Sequence, residues 1–408
     1  MTRWLAIGAS HAFPLTTQET EDALLGEEWN VDQAPAKAKP RFPHYMIREI
    51  YEQPDAVRRV LKDHINDQGT IHLPELPFTS DQIRSFSKIT IAASGSSRHA
   101  GMVGEFMFER MAAIDVEVDF ASQYCYRDPV VAPKELTVFL SQSGTTIDTI
   151  TALQVARRKH ARTLAICNVP ETPLTQLADA TFLTHAGEEV AIAATKSFTT
   201  QLTALFLLAA YFGQERGTLN APARLALEEL KNLPDRMEEA LQTDERSREY
   251  AKQLYRFKDF IFIGRDIDYP IALEGALKLK EVSYIHAEGY PTGELKHGPT
   301  ALVNEQLPIV VLAAHDSRDP DSTLRYRRSV SNVREFIERE IPVLSIVPHS
   351  DREIEKIAPC VLRVPDVPLL LQPILEVIPL QLLAYHIAVL CGRDVDRPRH
   401  LSKSVVVE

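Results

Sequence analysis

The stretch Leu136-Thr-Val-Phe-Leu-Ser-Gln-Ser-Gly-Thr-Thr146 decides the fold class of this chain. It begins as an apolar and β-branched strand candidate and ends in a run of hydroxyls around a glycine. An earlier stretch, Ile89-Thr-Ile-Ala-Ala-Ser-Gly-Ser-Ser97, has the same arrangement. Each is followed by a segment with helical periodicity. Strands that alternate with helices indicate a parallel sheet that is covered on both faces.

The same alternation continues to the end of the chain, with a charged helical stretch, 222–258, in its middle. The other strand candidates are 116–120, 164–167, 180–184, 260–263, 309–313, 343–347 and 361–364. The helical candidates are 47–64, 101–113, 146–160, 197–212, 271–281 and 373–390. We therefore predict an α/β protein with two domains in tandem, each a parallel sheet flanked by helices in a Rossmann-like three-layer sandwich. The predicted segments are a linker at 1–45, domains at 46–240 and 241–390, and a tail at 391–408.

Composition excludes several classes of partner. The 408 residues carry 45 basic and 56 acidic side chains, a formal charge of −11 that disfavours nucleic acid and anionic membrane. The apolar runs 203–212 and 380–390 are too short to span a bilayer of ~30 Å, and we read them as core helices. Four scattered cysteines without a CxxC pair indicate reduced thiols and a cytoplasmic protein. No histidine spacing predicts a metal site, and no cofactor is expected.

Two hydroxyl-rich segments, Ser94–Ser97 and Ser141–Thr146, follow strand candidates and open helical ones; we call them the hydroxyl loops. A helix N-terminus offers unpaired N–H groups and a partial positive charge, so anions bind there. Neither loop contains the lysine of a P-loop, which favours a phosphate monoester over a nucleoside triphosphate. Helix capping alone is the alternative for one such loop. Two loops at the carboxyl ends of neighbouring parallel strands favour a ligand site.

Glu274, Lys278 and Glu281 lie on one face of the helical segment 271–281, with apolar residues on both flanks; we call them the charged stripe. A solvent-exposed row of ion pairs is the ordinary interpretation of such spacing. Because the flanks are apolar, a cavity lining is the alternative that we prefer. A carboxylate beside a lysine can then serve as a general base.

Two further candidates have no special status by themselves. His297 lies in a segment with glycine and proline at its ends, Gly293-Glu-Leu-Lys-His-Gly-Pro299, and a loop histidine is most often only a surface residue. It can nevertheless exchange protons near neutral pH, as the opening of a sugar ring requires. Lys403 lies in a tail that would ordinarily fray.

Longer motifs make the chain resemble a known family. Ser141-Gln-Ser-Gly144, Ala165-Ile-Cys-Asn-Val-Pro170 and Thr195-Lys-Ser-Phe-Thr-Thr-Gln201 resemble the first sugar-isomerase (SIS) domain of glutamine–fructose-6-phosphate aminotransferases. Tyr269–Glu281 and Gly293–Pro299 resemble the second SIS domain, and the tail from Asp394 resembles the C-terminus of that family. The resemblance covers roughly residues 44–408 and implies two tandem SIS domains.

The resemblance also implies a reaction, in which fructose 6-phosphate and ammonia from glutamine give glucosamine 6-phosphate. Lys403 would form a Schiff base at C2, Glu281 would move a proton between C1 and C2 with Lys278 close by, and His297 of the neighbouring subunit of a homodimer would open the ring. The residues implied to hold the phosphorylated hexose are Gly95, Ser96, Ser97, Ser141, Gln142, Ser143, Thr146, Ile192, Ala194 and Ser402.

The chain also departs from that family. Its second residue is Thr2, where the complete enzymes carry the nucleophilic cysteine of a glutaminase domain, and we infer that this domain was lost or truncated. Around the sugar, this chain has Thr145, Ala194, His400 and Ser402 where the family usually has glutamate, serine, asparagine and alanine. Ammonia would then be free or supplied by a separate glutaminase. The alternatives are the deaminase direction, a ketose–aldose isomerase, and a sugar-phosphate sensor without catalysis.

Overall fold

The computed structural model describes residues 42–66 and 69–405, and the described residues from His44 onward form one compact unit. The predicted linker, apart from its last residues, lies outside the described part of the chain. The helices are α1 Tyr45–Tyr51, α2 Gln53–Lys62, α3 Ser80–Ser85, α4 Gly95–Ala112, α5 Ala121–Tyr126, α6 Ile147–Arg158, α7 Pro173–Leu177, α8 Lys196–Arg216, α9 Ala221–Leu230, α10 Leu233–Leu241, α11 Asp244–Leu254, α12 Tyr269–Ser283, α13 Pro320–Glu338 and α14 Gln372–Leu390. The strands are β1 Lys88–Ala93, β2 Asp115–Phe120, β3 Glu135–Ser141, β4 Arg162–Cys167, β5 Ala180–Leu183, β6 Asp259–Gly264, β7 His286–Pro291, β8 Ile309–Leu312, β9 Val343–Pro348 and β10 Cys360–Val364.

Two five-stranded parallel sheets organise the described residues, in the orders β2-β1-β3-β4-β5 and β10-β9-β8-β6-β7. In both sheets the first strand lies between its two successors in a similar pattern, so the two halves share a topology that their sequences do not reveal. The predicted α/β fold with two parallel sheets in tandem is confirmed. In the first sheet, β2 lies on one side of β1 and the later strands lie on the other, so the strand order switches between β1 and β3, which pair directly as parallel strands. Ligands bind at such a switch point in open α/β sheets.

Local sequence accounts for most boundaries. Every strand except β7 matches its candidate within two residues, because buried apolar runs are strong local signals. Strand β7 was missed, since it is a sheet edge in which only Ala287 is fully buried. The predicted helix 47–64 is wrong as one element: it divides into α1 and α2 at Glu52, just before Pro54. The stretch 222–258 likewise forms three helices.

Helix α14 is longer than the apolar run that the sequence singled out. The segment Leu369–Leu390 has 22 residues and, by length and composition alone, is long and apolar enough to cross a membrane. The expectation that this run is too short is therefore wrong. However, 83% of its apolar window is buried inside the protein, where it packs against α11 and α12. Its interpretation as a core helix is confirmed. All four cysteines are unpaired thiols.

Candidate active site

Both hydroxyl loops lie at helix N-termini, next to the carboxyl ends of strands β1 and β3 in the first sheet. Helix α4 begins at Gly95 and helix α6 begins at Ile147, directly after Thr146. Because β1 and β3 pair side by side, the two loops are neighbours. Gly144 has a φ of +67°, and a Cβ at this position would overlap the side chain of Thr172. Only glycine therefore fits at this position in the turn of the second hydroxyl loop.

Hydrogen bonds within the second loop fix its shape. The Ser141 Oγ accepts from the Gly144 amide at 3.0 Å and lies 3.2 Å from the Thr146 Oγ1. In the first loop, the Gln201 Nε2 donates to the Ser97 Oγ at 3.0 Å. Sequence reasoning missed Gln201, although it lies within a motif already quoted. Among the described residues, the hydroxyls of Ser97, Ser141 and Thr146 are thus held by neutral partners.

The charged stripe is buried, so the interpretation as a solvated row of ion pairs is wrong. The side chains of Glu274 and Lys278 are 0% exposed, and Glu281 is partly buried. The Lys278 Nζ lies 3.4 Å from the Glu274 Oε1 and forms an ion pair with Glu281. Buried charges are costly unless they are paired and hydrogen-bonded, and this lysine meets both conditions.

Ser96 connects the stripe to the first hydroxyl loop. Its Oγ donates to the Glu274 Oε1 at 2.8 Å and accepts from the Lys278 Nζ at 3.1 Å. His99, one turn further along α4, lies with its Nδ1 2.8 Å from the Glu274 Oε2. Sequence reasoning missed His99, and its spacing of three residues from Ser96 was the only available signal. These contacts join the two SIS-type domains at the site.

The pKa values of the stripe follow from its pairing. Burial acts to lower the pKa of Lys278, but the charges of Glu281 and Glu274 outweigh it and hold the pKa above its ordinary value. Burial acts to raise the pKa of Glu274, yet Lys278 and His99 hold it below its ordinary value. Lys278 is therefore a fixed cation and Glu274 a fixed anion, and neither is suited to exchange protons near neutral pH.

The tail is ordered around Lys403 instead of fraying. The Lys403 Nζ donates to the Glu189 Oε2 at 2.6 Å and to the Ala191 carbonyl at 2.7 Å; we call these two acceptors the Lys403 anchor. The side chain of Glu189 is 0% exposed. Burial acts to raise its pKa, but the charge of Lys403 holds it below the ordinary value. The charge of Glu189 in turn helps to raise the pKa of Lys278, so the anchor and the stripe lie within electrostatic reach.

Contacts between the tail and the second hydroxyl loop hold the segment around Lys403 beside that loop. The Ser404 Oγ lies 2.7 Å from both the Ser143 Oγ and the Thr145 Oγ1. The Ile147 amide donates to the Val405 carbonyl at 2.9 Å. Ser404 was not among the predicted residues, and nothing in its local sequence marks it.

The remaining predicted residues are placed less closely. His297 is exposed on a 3₁₀ turn, Glu294–His297, and within the described residues no hydrogen bond or ion pair joins it to the stripe or the tail. Ile192 donates its amide to the Asp396 carbonyl at 3.0 Å, next to the anchor. Ala194 is half-buried, and Ser402 is exposed with its hydroxyl directed to the Ser404 carbonyl. The roles of all these residues stay predictions.

Comparison with known proteins identifies the family of this chain. The SIS domain family matches residues 82–211 and 253–391, which contain both hydroxyl loops and the charged stripe. The chain belongs to the SIS-domain family. It is 44% identical over 383 residues to a glutamine–fructose-6-phosphate aminotransferase of Thermus thermophilus, and the match covers 93% of this chain and 61% of that protein. The aminotransferase of Chlorobaculum tepidum is 42% identical over 371 residues, 91% of this chain and 59% of that protein.

Solved structures give the same assignment for this SIS-domain protein. The C-terminal domain of glucosamine-fructose-6-phosphate aminotransferase from Francisella tularensis superposes with a TM-score of 0.81 at 37% identity, over 88% of this chain and 99% of that one. A glucosamine-6-phosphate deaminase of Thermotoga maritima has a TM-score of 0.68 at 20% identity, over 89% and 100%, which shows the shared fold alone. The chain spans about three-fifths of the length of the curated relatives that it matches.

Proposed function

We propose that this SIS-domain protein is a phosphosugar isomerase that acts on fructose 6-phosphate and glucosamine 6-phosphate. Its proposed chemistry is that of the isomerase half of a glutamine–fructose-6-phosphate aminotransferase, with ammonia that is free or supplied by a separate glutaminase. The proposed setting is the cytoplasm, in a homodimer. The relatives named above carry this activity in their names, and their similarity to this chain supports the transfer.

One observation carries the proposal: segments far apart in sequence meet at the switch point of the first sheet. The hydroxyl loops reach the charged stripe through Ser96 and Glu274, and they reach the tail through Ser143 and Ser404. Neutral hydroxyls at two helix N-termini suit a phosphate monoester. A lysine and a carboxylate beside them suit carbonyl chemistry on the sugar that bears it.

In the proposed mechanism, the hydroxyl loops hold the 6-phosphate and the fixed charge of Lys278 orients Glu281. The Lys403 amine adds to C2 of the open-chain ketose, and loss of water gives an imine that makes the proton on C1 more acidic. Glu281 is the part of the stripe that is partly exposed, and it moves this proton between C1 and C2. The proposed ring-opening acid is His297 of a neighbouring subunit, which fits its exposed position.

Product identification after two incubations tests the proposal. One incubation contains glucosamine 6-phosphate, and the other contains fructose 6-phosphate with an ammonium salt. We expect turnover in at least one of them, and the active mixture decides between the synthetic and the deaminase direction. Turnover in neither mixture would count against an enzyme of this class and leave a sugar-phosphate sensor.

The Schiff base is tested by Lys403→Ala. We expect turnover to fall by about a thousandfold or more, because among the described residues no other amine contacts the anchor, while phosphosugar binding stays within about threefold. Lys252→Ala, which changes an exposed lysine on helix α11, is the matched control and should keep full activity. If the Lys403→Ala variant turns over normally, the imine route is wrong.

A further inference from the structure

The ammonium of Lys403 must lose a proton before its amine can attack a carbonyl. A group in contact with the Lys403 Nζ must therefore accept that proton. In the structure, the Lys403 Nζ contacts one buried carboxylate oxygen and one backbone carbonyl. A carbonyl oxygen cannot accept the proton at neutral pH, whereas a carboxylate can. Glu189 is therefore the group in contact with Lys403 that is chemically able to take it.

We propose that Glu189 accepts the proton of Lys403 and so converts the anchored ammonium into the nucleophilic amine. This inference rests on the proposed Schiff base of Lys403 and goes beyond it, since nothing in the sequence motifs pointed to Glu189. It adds a second group that acts on the reacting nitrogen.

The hydrogen bonds of Glu189 hold its carboxylate rigidly at the lysine. The Oε1 atom accepts from the amides of Thr195 and Ser197, both at 3.0 Å. The Oε2 atom accepts from the Ser197 Oγ at 2.7 Å and from the Lys403 Nζ at 2.6 Å. Both amides lie at the N-terminal end of helix α8, whose partial positive charge stabilises an anion. Glu189 can therefore remain ionised although it is buried, ready to accept a proton.

Two further titratable groups face Glu189, the carboxyl of Glu49 and the ammonium of Lys278. Glu49 on helix α1 is 0% exposed; its Oε1 accepts from the amides of Val190 and Ala191 at 2.6 and 3.3 Å, and its Oε2 has no hydrogen-bond partner among the described residues. Burial and the charge of Glu189 raise the pKa of Glu49 to about 7. Lys278 on helix α12 also faces Glu189. Glu49 is therefore only partly ionised at neutral pH, whereas Glu189, whose pKa is lowered, is the charged partner that contacts Lys403.

The proposed step balances without any further reagent. One N–H bond of the Lys403 ammonium breaks and an O–H bond forms on Glu189. The freed lone pair makes the C–N bond at C2, while the carbonyl π electrons move to oxygen. The alkoxide takes the proton held by Glu189. A second proton then passes from the carbinolamine nitrogen, by way of the Glu189 carboxylate, to the same oxygen, which departs as water and leaves a protonated imine. The sum of ammonium and ketone equals iminium and water.

Reductive trapping tests the step directly. The protein is incubated with fructose 6-phosphate and cyanoborohydride from pH 3.5 to 10, and the rate at which the Lys403 adduct forms is followed by intact mass and peptide mapping. In Glu189→Gln the side chain keeps its shape but cannot accept a proton. We expect trapping about tenfold or more slower than in the wild type at pH 7, with a smaller difference at high pH, where hydroxide can act as the base in place of Glu189. The wild type and Glu189→Gln are treated with the same reductant. The pH dependence of cyanoborohydride therefore cancels in the ratio of their trapping rates.

A second variant guards against misfolding of the first. Ser197→Ala removes one donor from the Glu189 Oε2 and leaves the Lys403 contact in place. Loss of a hydrogen bond to the charged form raises the pKa of a carboxylate, so the acid limb of the trapping profile should move to higher pH. An unmoved acid limb in Ser197→Ala would overturn the role of Glu189.

The outcomes separate the two proposals. If wild-type protein forms no adduct under these conditions, the imine route fails and the role of Glu189 fails with it. If the adduct forms in wild type but Glu189→Gln slows it equally at every pH, Glu189 only positions the lysine and the proton-transfer proposal alone is overturned. A pH-dependent ratio supports it.

Discussion

The Ser96 hydroxyl donates to the Glu274 Oε1 at 2.8 Å and so joins the first hydroxyl loop of one domain to the charged stripe of the other. The Ser96 Oγ also accepts a hydrogen bond from the Lys278 Nζ at 3.1 Å. One small side chain thus belongs both to the proposed phosphate site and to the domain interface. Changes that affect substrate binding and domain contact should therefore be coupled here.

Ser96→Ala tests this coupling. It removes a donor from one buried charge and an acceptor from another, so we expect a loss of about 1–3 kcal/mol in the free energy of unfolding together with about tenfold weaker phosphosugar binding. Denaturant titration and calorimetry measure the two effects. Ser85→Ala, which changes an exposed serine on α3, should alter neither. Loss of stability without weaker binding would remove Ser96 from the phosphate site.

Lys278→Met tests the charge balance of the stripe. Removing the cation leaves Glu274 buried without its ion-pair partner, and breaking a buried pair typically costs about 3–5 kcal/mol. Denaturant unfolding should show this loss. Lys280→Met is the matched control, because Lys280 is exposed on the same helix two positions away, and it should stay within about 0.5 kcal/mol of the wild type. Equal effects for the two variants would contradict the buried-pair account.

Gly144→Ala tests the turn of the second hydroxyl loop. Both Gly144 and Gly217 have positive φ, +67° and +70°, so alanine costs about 1 kcal/mol at either position through backbone strain. At Gly144 the new Cβ would also overlap Thr172, whereas nothing lies near Gly217. We therefore expect Gly144→Ala to be clearly the less stable variant in thermal unfolding and to bind phosphosugar more weakly. Similar melting temperatures would show that the loop relaxes freely.

The buried carboxyls Asp268 and Glu376 predict an unusual pH dependence of stability. Burial, with the neighbouring acidic charge, raises the pKa of Asp268 to about 7 and the pKa of Glu376 well above its ordinary value. A carboxyl with a raised pKa binds its proton more tightly when folded. Its contribution is therefore most favourable below the unfolded pKa of about 4 and is lost as the pH rises through the folded value.

Asp268→Asn should abolish part of that loss. The quantity compared is the melting temperature of Asp268→Asn minus that of the wild type. We expect this difference to be several degrees higher at pH 8 than at pH 5, because at pH 8 only the wild type has a buried carboxyl at position 268 that must either ionise or keep its proton at a cost in free energy. Thermal unfolding at both pH values measures this difference. A constant offset between the two proteins would show that Asp268 titrates as an ordinary carboxyl.

The sequence by itself determined nine of the ten described strands and the position of the hydroxyl loops. The run Leu136–Leu140 is buried and apolar, and Gly144 with its neighbours can only be a turn, so local residues carry both signals. It also placed Glu274, Lys278 and Glu281 on one helical face, because that face depends on spacing alone. Longer motifs then indicated the family, which the comparisons confirmed.

Only the tertiary structure decided what those faces and ends do. Whether the charged stripe is solvated or buried depends on contacts such as that of Ser96, which is 178 positions from Glu274 in the sequence. The Lys403 anchor joins residues 214 positions apart, and no local pattern of hydrophobicity or turn residues encodes such a pair. Lys403 is held in place by the buried carboxylate of Glu189, and that carboxylate is buried only in the folded chain.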